Sequence, residues 1–184
     1  MKYEDIKTPE ELLNYMSLNM TYGFIGKSGK RYESLKDKKG LEEYIIQSGE
    51  EVLESNLGTC WDQVELERLW FSSHNYNFKT IFIGFDVDYE NTYPTHTFLI
   101  YEDNNKFYWF QNAWEEKRGI HEFNSFDDAL DFVKELHFNY ASERYGLSID
   151  LKDKLESFSY DKPAPDLDVY SYVDHVTKND FKIR

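Results

Sequence analysis

The chain has 184 residues, of which 40% are hydrophobic and 18% aromatic, and its formal net charge is −14. Such aromatic content predicts a packed globular domain and excludes a disordered chain. The negative charge argues against partners that present phosphate, namely nucleic acids and anionic membrane surfaces. No apolar run approaches the roughly 18 residues of a membrane span, and the N-terminus lacks an apolar signal-peptide core. With a single cysteine and no internal disulfide, we expect a cytoplasmic chain.

Helical signals dominate the first half of the chain. Thr8 and Pro9 predict a helix start, and Ser48 predicts another, with a capping-box glutamate three residues later. Residues 27–39 are basic and poor in aliphatic side chains, and this predicts a surface loop. A third helix is predicted from Cys60 to about Phe71, apolar around most of its girth and therefore central. Its charged residues are predicted to form a solvated face: Asp62, Glu65 and Glu67.

Strand signals dominate the second half. Residues 80–85 predict one strand, and residues 95–101 and 106–112 predict an antiparallel hairpin around a polar turn near Asn104. A short strand is predicted at 119–123, followed by a helix that Ser125 caps. Helices followed by strands, without βαβ alternation, indicate an α+β fold. We expect an α+β domain over residues 1–145 and an acidic C-terminal extension over residues 146–184.

Cys60 stands at the predicted N-terminus of the central helix, directly after Gly58 and Thr59. Free N–H groups and the helix dipole favour an anion there, which lowers a thiol pKa toward reactivity. The same N–H groups are suited to an oxyanion. A lone cysteine is nevertheless commonly a buried structural residue, and its position alone does not separate the two interpretations.

The predicted hairpin brings a histidine and an asparagine together. His96 opens the first strand and Asn112 ends the second, each eight residues from the turn at Asn104. With that residue as the axis, the two side chains are predicted to face each other at one end of the ladder. Asn112 would then orient the imidazole, and His96 would take the proton of the Cys60 thiol. The alternatives are a core histidine and a strand-end turn residue.

The order of cysteine on a helix, histidine on a strand and asparagine on the next strand is the order that papain-like folds use. The sequence resembles the transglutaminase-like domain family of that superfamily over about Thr8 to His137. The resemblance rests on the segments 48–53, 58–63 and 95–98 and on the aromatic strand ending at Asn112, and it also includes the segment 12–23 and the helix after Ser125. It implies a helix near the N-terminus that bears Cys60 and packs on an antiparallel β-sheet. It further implies Cys60 as nucleophile, His96 as base and Asn112 as orienting residue. Many members of the family carry Asp in the third position.

Weaker candidates complete the predicted site. Gln47 lies upstream of the cysteine and is a possible oxyanion donor, although its spacing is not that of papain-like enzymes. Trp61 and Trp114 are predicted either to line a substrate cleft or to belong to the core. The remaining histidines show no metal-ligand spacing, so we expect neither a metal nor another cofactor.

Two functions follow from this set of residues. The first is acyl transfer or amide hydrolysis through a thioester at Cys60, with a peptide or protein amide as substrate. The second is a catalytically inactive transglutaminase-like module that binds another protein. An intact Cys-His-Asn set favours the enzyme, whereas the acidic, aromatic C-terminal segment is compatible with docking of a partner.

Overall fold

The computed structural model describes residues 2–33, 38–86 and 94–183, and in them the chain is a mixed α+β protein, as predicted. Six α-helices occur in these ranges: α1 (Pro9–Asn19), α2 (Lys38–Glu43), α3 (Gly49–Ser55), α4 (Cys60–Ser73), α5 (Phe126–Tyr145) and α6 (Val169–Val176). The strands in the same ranges are β1 (Thr21–Tyr22), β2 (Phe24–Ile25), β3 (Arg31–Tyr32), β4 (Leu57–Gly58), β5 (Asn77–Phe85), β6 (His96–Asp103), β7 (Lys106–Gln111), β8 (Gly119–Phe123), β9 (Leu155–Ser159) and β10 (Lys182–Ile183).

A six-stranded sheet forms the centre of the molecule. Its strand order is β10-β9-β5-β6-β7-β8, and every neighbouring pair is antiparallel. Two small two-stranded sheets, β1 with β4 and β2 with β3, lie outside it. The predicted hairpin is confirmed as β6 and β7, joined by Asn104 and Asn105 in the left-handed region at φ 50° and 61°. Asparagine tolerates that conformation, which suits a two-residue hairpin turn.

Helices cover both faces of this sheet. On one face, a hydrophobic cluster combines α4 side chains with Phe82, Leu99 and Phe110 of the strands. On the other face, a second cluster combines α5 side chains with Phe98 and Trp109. Because side chains alternate along a strand, consecutive residues of β6 enter different clusters. Both faces of the sheet are therefore hydrophobic.

Local sequence signals set the helix boundaries. Thr8 and Ser48 each form a capping box, and Ser125 accepts a hydrogen bond from the Asp128 N–H at the start of α5. The central helix begins at Cys60 as predicted, and its first eight residues are all buried. The predicted loop over residues 27–39 is only partly irregular, since β3 lies inside it and α2 begins at Lys38. Its residues 34–37 lie outside the described ranges.

The predicted division after residue 145 does not match the packing. β9 pairs with β5 inside the central sheet, and β10 continues the sheet at its edge. Tyr172 and Val176 of α6 are fully buried in the same cluster as α4. Residues 146–184, which the sequence predicts as an acidic extension, therefore contribute two strands to the central sheet and buried side chains to the hydrophobic core. Most charged residues of this segment are exposed, whereas Phe158, Tyr160 and Tyr172 are buried in the core. Within the described ranges, no helix is long and apolar enough to cross a membrane.

Candidate functional site

Cys60 is the first residue of α4, where the sequence placed it. Thr59 is the N-cap, and its N–H donates to the Asp62 carboxylate at 2.8 Å. That bond fixes the first turn of the helix by the reach-back half of a capping box. The side chain of Cys60 is 9% exposed and belongs to the hydrophobic cluster on the α4 face. The thiol thus lies between the helix and the sheet.

Thr97 and Tyr22 supply the polar groups that interact with the thiol. Thr97 of β6 interacts with the Cys60 thiol through its backbone and its side chain, and the Tyr22 hydroxyl contacts it from β1. Burial nevertheless raises the pKa of Cys60 above its usual value, outweighing these interactions. The sequence-based expectation of a lowered thiol pKa at this helix N-terminus is therefore wrong, because desolvation of the thiolate exceeds the stabilisation that the helix terminus and its neighbours supply.

His96 lies on the other face of the sheet. Its Nε2 is 2.6 Å from Nε2 of Gln111, a bond in which the amide donates to the neutral ring. The ring packs against Phe98, against Trp114 at a centroid distance of 5.6 Å and against His137 of α5 at 6.2 Å. Burial lowers the pKa of His96 to about 3, and the neighbouring His137 adds to the effect. The imidazole is neutral at physiological pH, and it is enclosed on the α5 side.

Asn112 lies on the same face of the central sheet as Cys60, whereas His96 lies on the opposite face. Its Nδ2 donates to Oε1 of Gln63 on α4 at 2.7 Å, while the buried Oδ1 of Asn112 has no hydrogen-bond partner among the residues that the structure describes. The predicted pairing of His96 with Asn112 is wrong by one residue. Leu99 pairs with Phe110 in the observed register, and continuing it places Asn112 opposite Thr97. A slip of one residue moves a side chain to the opposite face, so the structure brings Asn112 toward the helix and turns His96 away.

The three weaker candidates have structural partners. The Gln47 side chain donates to Leu57 O at 3.2 Å and accepts from the Ser55 hydroxyl at 3.1 Å. Trp61 is buried, with its ring 4.7 Å from that of Tyr172 and its Nε1–H donating to Thr95. Trp114 packs against His96 and Tyr140 on the α5 side. These contacts make Trp61 a core residue, and they separate Trp114 from the thiol.

The carboxylates of α4 are not a solvated face, and that prediction is wrong. Asp62, Glu65 and Glu67 are at most 3% exposed. Asp62 accepts from the Tyr44 hydroxyl, the Gln47 N–H and two groups of Thr59, while burial raises its pKa to about 6. Glu65 pairs with Arg68 at 2.9 Å. Within the described part of the chain, Glu67 Oε2 has no hydrogen-bond partner, and burial raises the pKa of this carboxyl well above its usual value.

Sequence reasoning missed the two residues that contact the thiol. Thr97 belongs with residues 99 and 101 to one of the two alternating sets in β6, whereas the predicted base, His96, belongs to the other. The consecutive asparagines 104 and 105 carried the signal that would have set the register, because a two-residue turn places the pairing axis between them. Tyr22 carried no such signal, since β1 reaches Cys60 only through its parallel pairing with β4.

The described residues contain no group of three metal-ligating side chains that could hold an ion. No family model matches the sequence, and no curated protein matches it either.

Proposed function

We propose that this chain is a protein-interaction module that has a papain-like, transglutaminase-like arrangement of helix and sheet and performs no acyl transfer. One observation carries the proposal: Cys60 and His96 belong to opposite faces of the central sheet. A nucleophile and its base must come within hydrogen-bond reach for proton transfer. With the β-sheet between them, His96 cannot take the proton of the thiol.

The protonation states support the same conclusion. A base with a pKa of about 3 holds a proton only in strong acid, and a thiol whose pKa is raised is uncharged at pH 7. Neither hydroxyl beside Cys60 is a base at neutral pH, and burial raises the pKa of Tyr22 well above its usual value. The thiolate–imidazolium pair that activates papain-like cysteines therefore has no counterpart among these contacts.

The finer fold assignment rests on the arrangement of α4. A buried helix that begins with the cysteine and packs on an antiparallel sheet is what the family resemblance implies. The proposal retains that arrangement as a scaffold and assigns function to the surface. Acyl transfer through a thioester at Cys60 stays a prediction of the sequence.

Iodoacetamide labelling separates the two functions. Cys60 is the only cysteine, so any labelling reports on it alone. An ordinary thiol of pKa about 8.5 is roughly 0.3% thiolate at pH 6. We expect the native chain to label more slowly than the guanidinium-unfolded chain at every pH from 6 to 9. We further expect His96→Gln to leave the native pH profile unchanged, because that residue faces α5.

Fast native labelling at pH 6 that disappears in His96→Gln would contradict the proposal and favour the Cys-His-Asn enzyme. Near-ultraviolet circular dichroism of both proteins provides the control for folding. Hydrolysis of a peptide amide that is lost in Cys60→Ala would contradict the proposal independently of the labelling rates.

A further inference from the structure

An open cleft lies at the surface beside α3, and Cys60 is not among the residues that line it. It encloses about 350 Å³, at the lower end of the roughly 300–1,000 Å³ of ligand pockets. Its apolar lining consists of Ile25, Ile45 and Ile46, and Ile25 is 46% exposed. Ile45 is partly exposed and Ile46 is buried, with 2% exposure, so the uncovered aliphatic surface of the cleft comes from Ile25 and Ile45.

The wall opposite α3 is held in place by close backbone packing. The Lys27 N–H donates to Glu43 O at 2.9 Å. At Gly26, a Cβ atom would lie 2.8 Å from Cβ of Glu43 and 2.9 Å from the Tyr32 ring, so only glycine allows this approach. The Ile46 N–H donates to Leu167 O at 2.9 Å and fixes the floor. The cleft is therefore a preformed feature of the backbone.

The α3 side of the cleft is acidic. Glu51 and Glu54 line it, one turn of helix apart, and within the described residues neither forms an ion pair. One oxygen of Glu51 accepts from the Ser48 N–H at 2.7 Å, which leaves its other oxygen available. The single cation of the lining, Lys27, directs its ammonium to Glu42 O at 3.2 Å. The chain as a whole carries a net charge of −14, which repels anionic ligands.

We propose that this cleft binds a short, extended peptide segment that carries an arginine or lysine beside an aliphatic side chain. The aliphatic side chain contacts Ile25 and Ile45, and the cation lies between the carboxylates of Glu51 and Glu54. This inference rests on the proposed binding function and names the class of partner. Phosphate-bearing ligands are disfavoured because the same carboxylates would repel them.

The test uses two capped pentapeptides, each with two leucines in an alanine background. One carries arginine between the leucines, and the other carries citrulline, its uncharged isostere. Binding to the full chain is followed by the Ile25 and Ile45 methyl signals in NMR titrations at low ionic strength. We expect the arginine peptide to bind about tenfold more tightly, since each partly exposed ion pair contributes up to about fivefold. The difference is expected to shrink at high salt.

Two variants of α3 locate the site. Glu54→Gln is expected to lower the affinity for the arginine peptide about three- to fivefold. Glu50→Gln is the matched control, because Glu50 is exposed on the same helix and acts on Tyr3 rather than on the cleft. Equal affinity for both peptides, equal losses in both variants, or no shift of the isoleucine methyls would overturn the inference. If Cys60 is unreactive in the labelling experiment, the proposed function holds whatever the peptide titrations show. If Cys60 is reactive, the proposed function fails, and the peptide titrations still report separately on the cleft.

Discussion

A histidine introduced at residue 112 is predicted to activate the thiol that His96 does not reach. Asn112 is 2% exposed, projects toward α4 and lies opposite Thr97, which contacts the thiol. In Asn112→His the imidazole replaces a side chain whose Oδ1 accepts no hydrogen bond from any described residue. We expect it to form an ion pair with Cys60 and to bring the thiol pKa into the range of about 3.5–7.5 known for such pairs.

The size of the effect follows from two opposing factors. At pH 6, lowering the thiol pKa from about 8.5 to about 6 raises the thiolate fraction from roughly 0.3% to 50%, about 150-fold. The nucleophilicity of the thiolate falls by about tenfold over the same 2.5 units, given a Brønsted slope of about 0.4–0.5. The net prediction is a labelling rate at pH 6 about ten times that of the natural chain. The raised pKa of the native thiol makes this a lower bound.

The assay is iodoacetamide labelling followed by intact mass. Gln111→His is the matched control, because Gln111 is also 2% exposed and adjacent in β7 but contacts His96 on the α5 face. If Gln111→His accelerates labelling and Asn112→His does not, the assigned faces of β6 and β7 are wrong. Thr97→His offers a second position on the same face should Asn112→His not fold.

Three further predictions concern stability. In the folded protein His96 and His137 have pKa values of about 3 and 4, against 6.5 in the unfolded chain, so both are neutral in the native state at pH 7. Their contribution to the free energy of unfolding is therefore fully present above pH 6.5 and is lost as the pH falls toward 4. At pH 5 each residue lowers the free energy of unfolding by about 2 kcal/mol, and urea titrations of His137→Gln should show a shallower loss between pH 7.5 and 5. Glu67 gives stability the opposite pH dependence, because its pKa is raised in the folded protein. Glu67→Gln should therefore be as stable as the natural chain near pH 4 and more stable than it at pH 8. Deletion of residues 146–184 should leave an unfolded chain by circular dichroism, because it removes β9 from the interior of the sheet; a folded truncated domain would contradict this.

The helix starts and the hairpin could be predicted because their signals are local. Thr8, Ser48 and Ser125 each lie within three residues of the backbone group that they cap. The β6–β7 hairpin likewise closes over two residues. The identity and type of these elements therefore follow from short stretches of sequence, whatever the rest of the chain does.

The faces of the sheet could not be predicted in the same way. In β6 both alternating sets are apolar beyond the first pair, with Phe98 and Ile100 on one face and Leu99 and Tyr101 on the other. When helices cover both faces, the hydrophobic pattern no longer marks an inner and an outer side. A shift of one residue in the pairing of β6 with β7 then decides whether His96 or Thr97 faces α4. That single step decides whether a cysteine, a histidine and an asparagine form a site.

The place of the C-terminal segment depends on contacts that no local signal reports. β9 pairs with β5, whose residues lie seventy or more positions earlier in the chain. The sequence between α5 and β9 is polar, so it gives no indication that a strand of the central sheet follows. The Tyr172 ring of α6 packs against Trp61 at a tilt of 30°, and its hydroxyl donates to the Tyr160 hydroxyl. An acidic sequence with scattered aromatic residues predicts an extension outside the domain, although these aromatic side chains pack in the core beneath α4.

The same topology places the titratable groups of this domain on two different sides of the central sheet. A general base, a nucleophile and their orienting partner act together only when they share one enclosed space. Here the sheet separates them. His96 and His137 lie with α5, whereas Cys60 and the buried carboxylates lie with α4. Burial then drives each group toward its neutral form, raising the pKa of the thiol and carboxyls and lowering that of the imidazoles. Each of these shifts disfavours the charged form of its group, so the interior on both sides of the sheet favours packing, and the buried charge of Glu65 is balanced by its ion pair with Arg68.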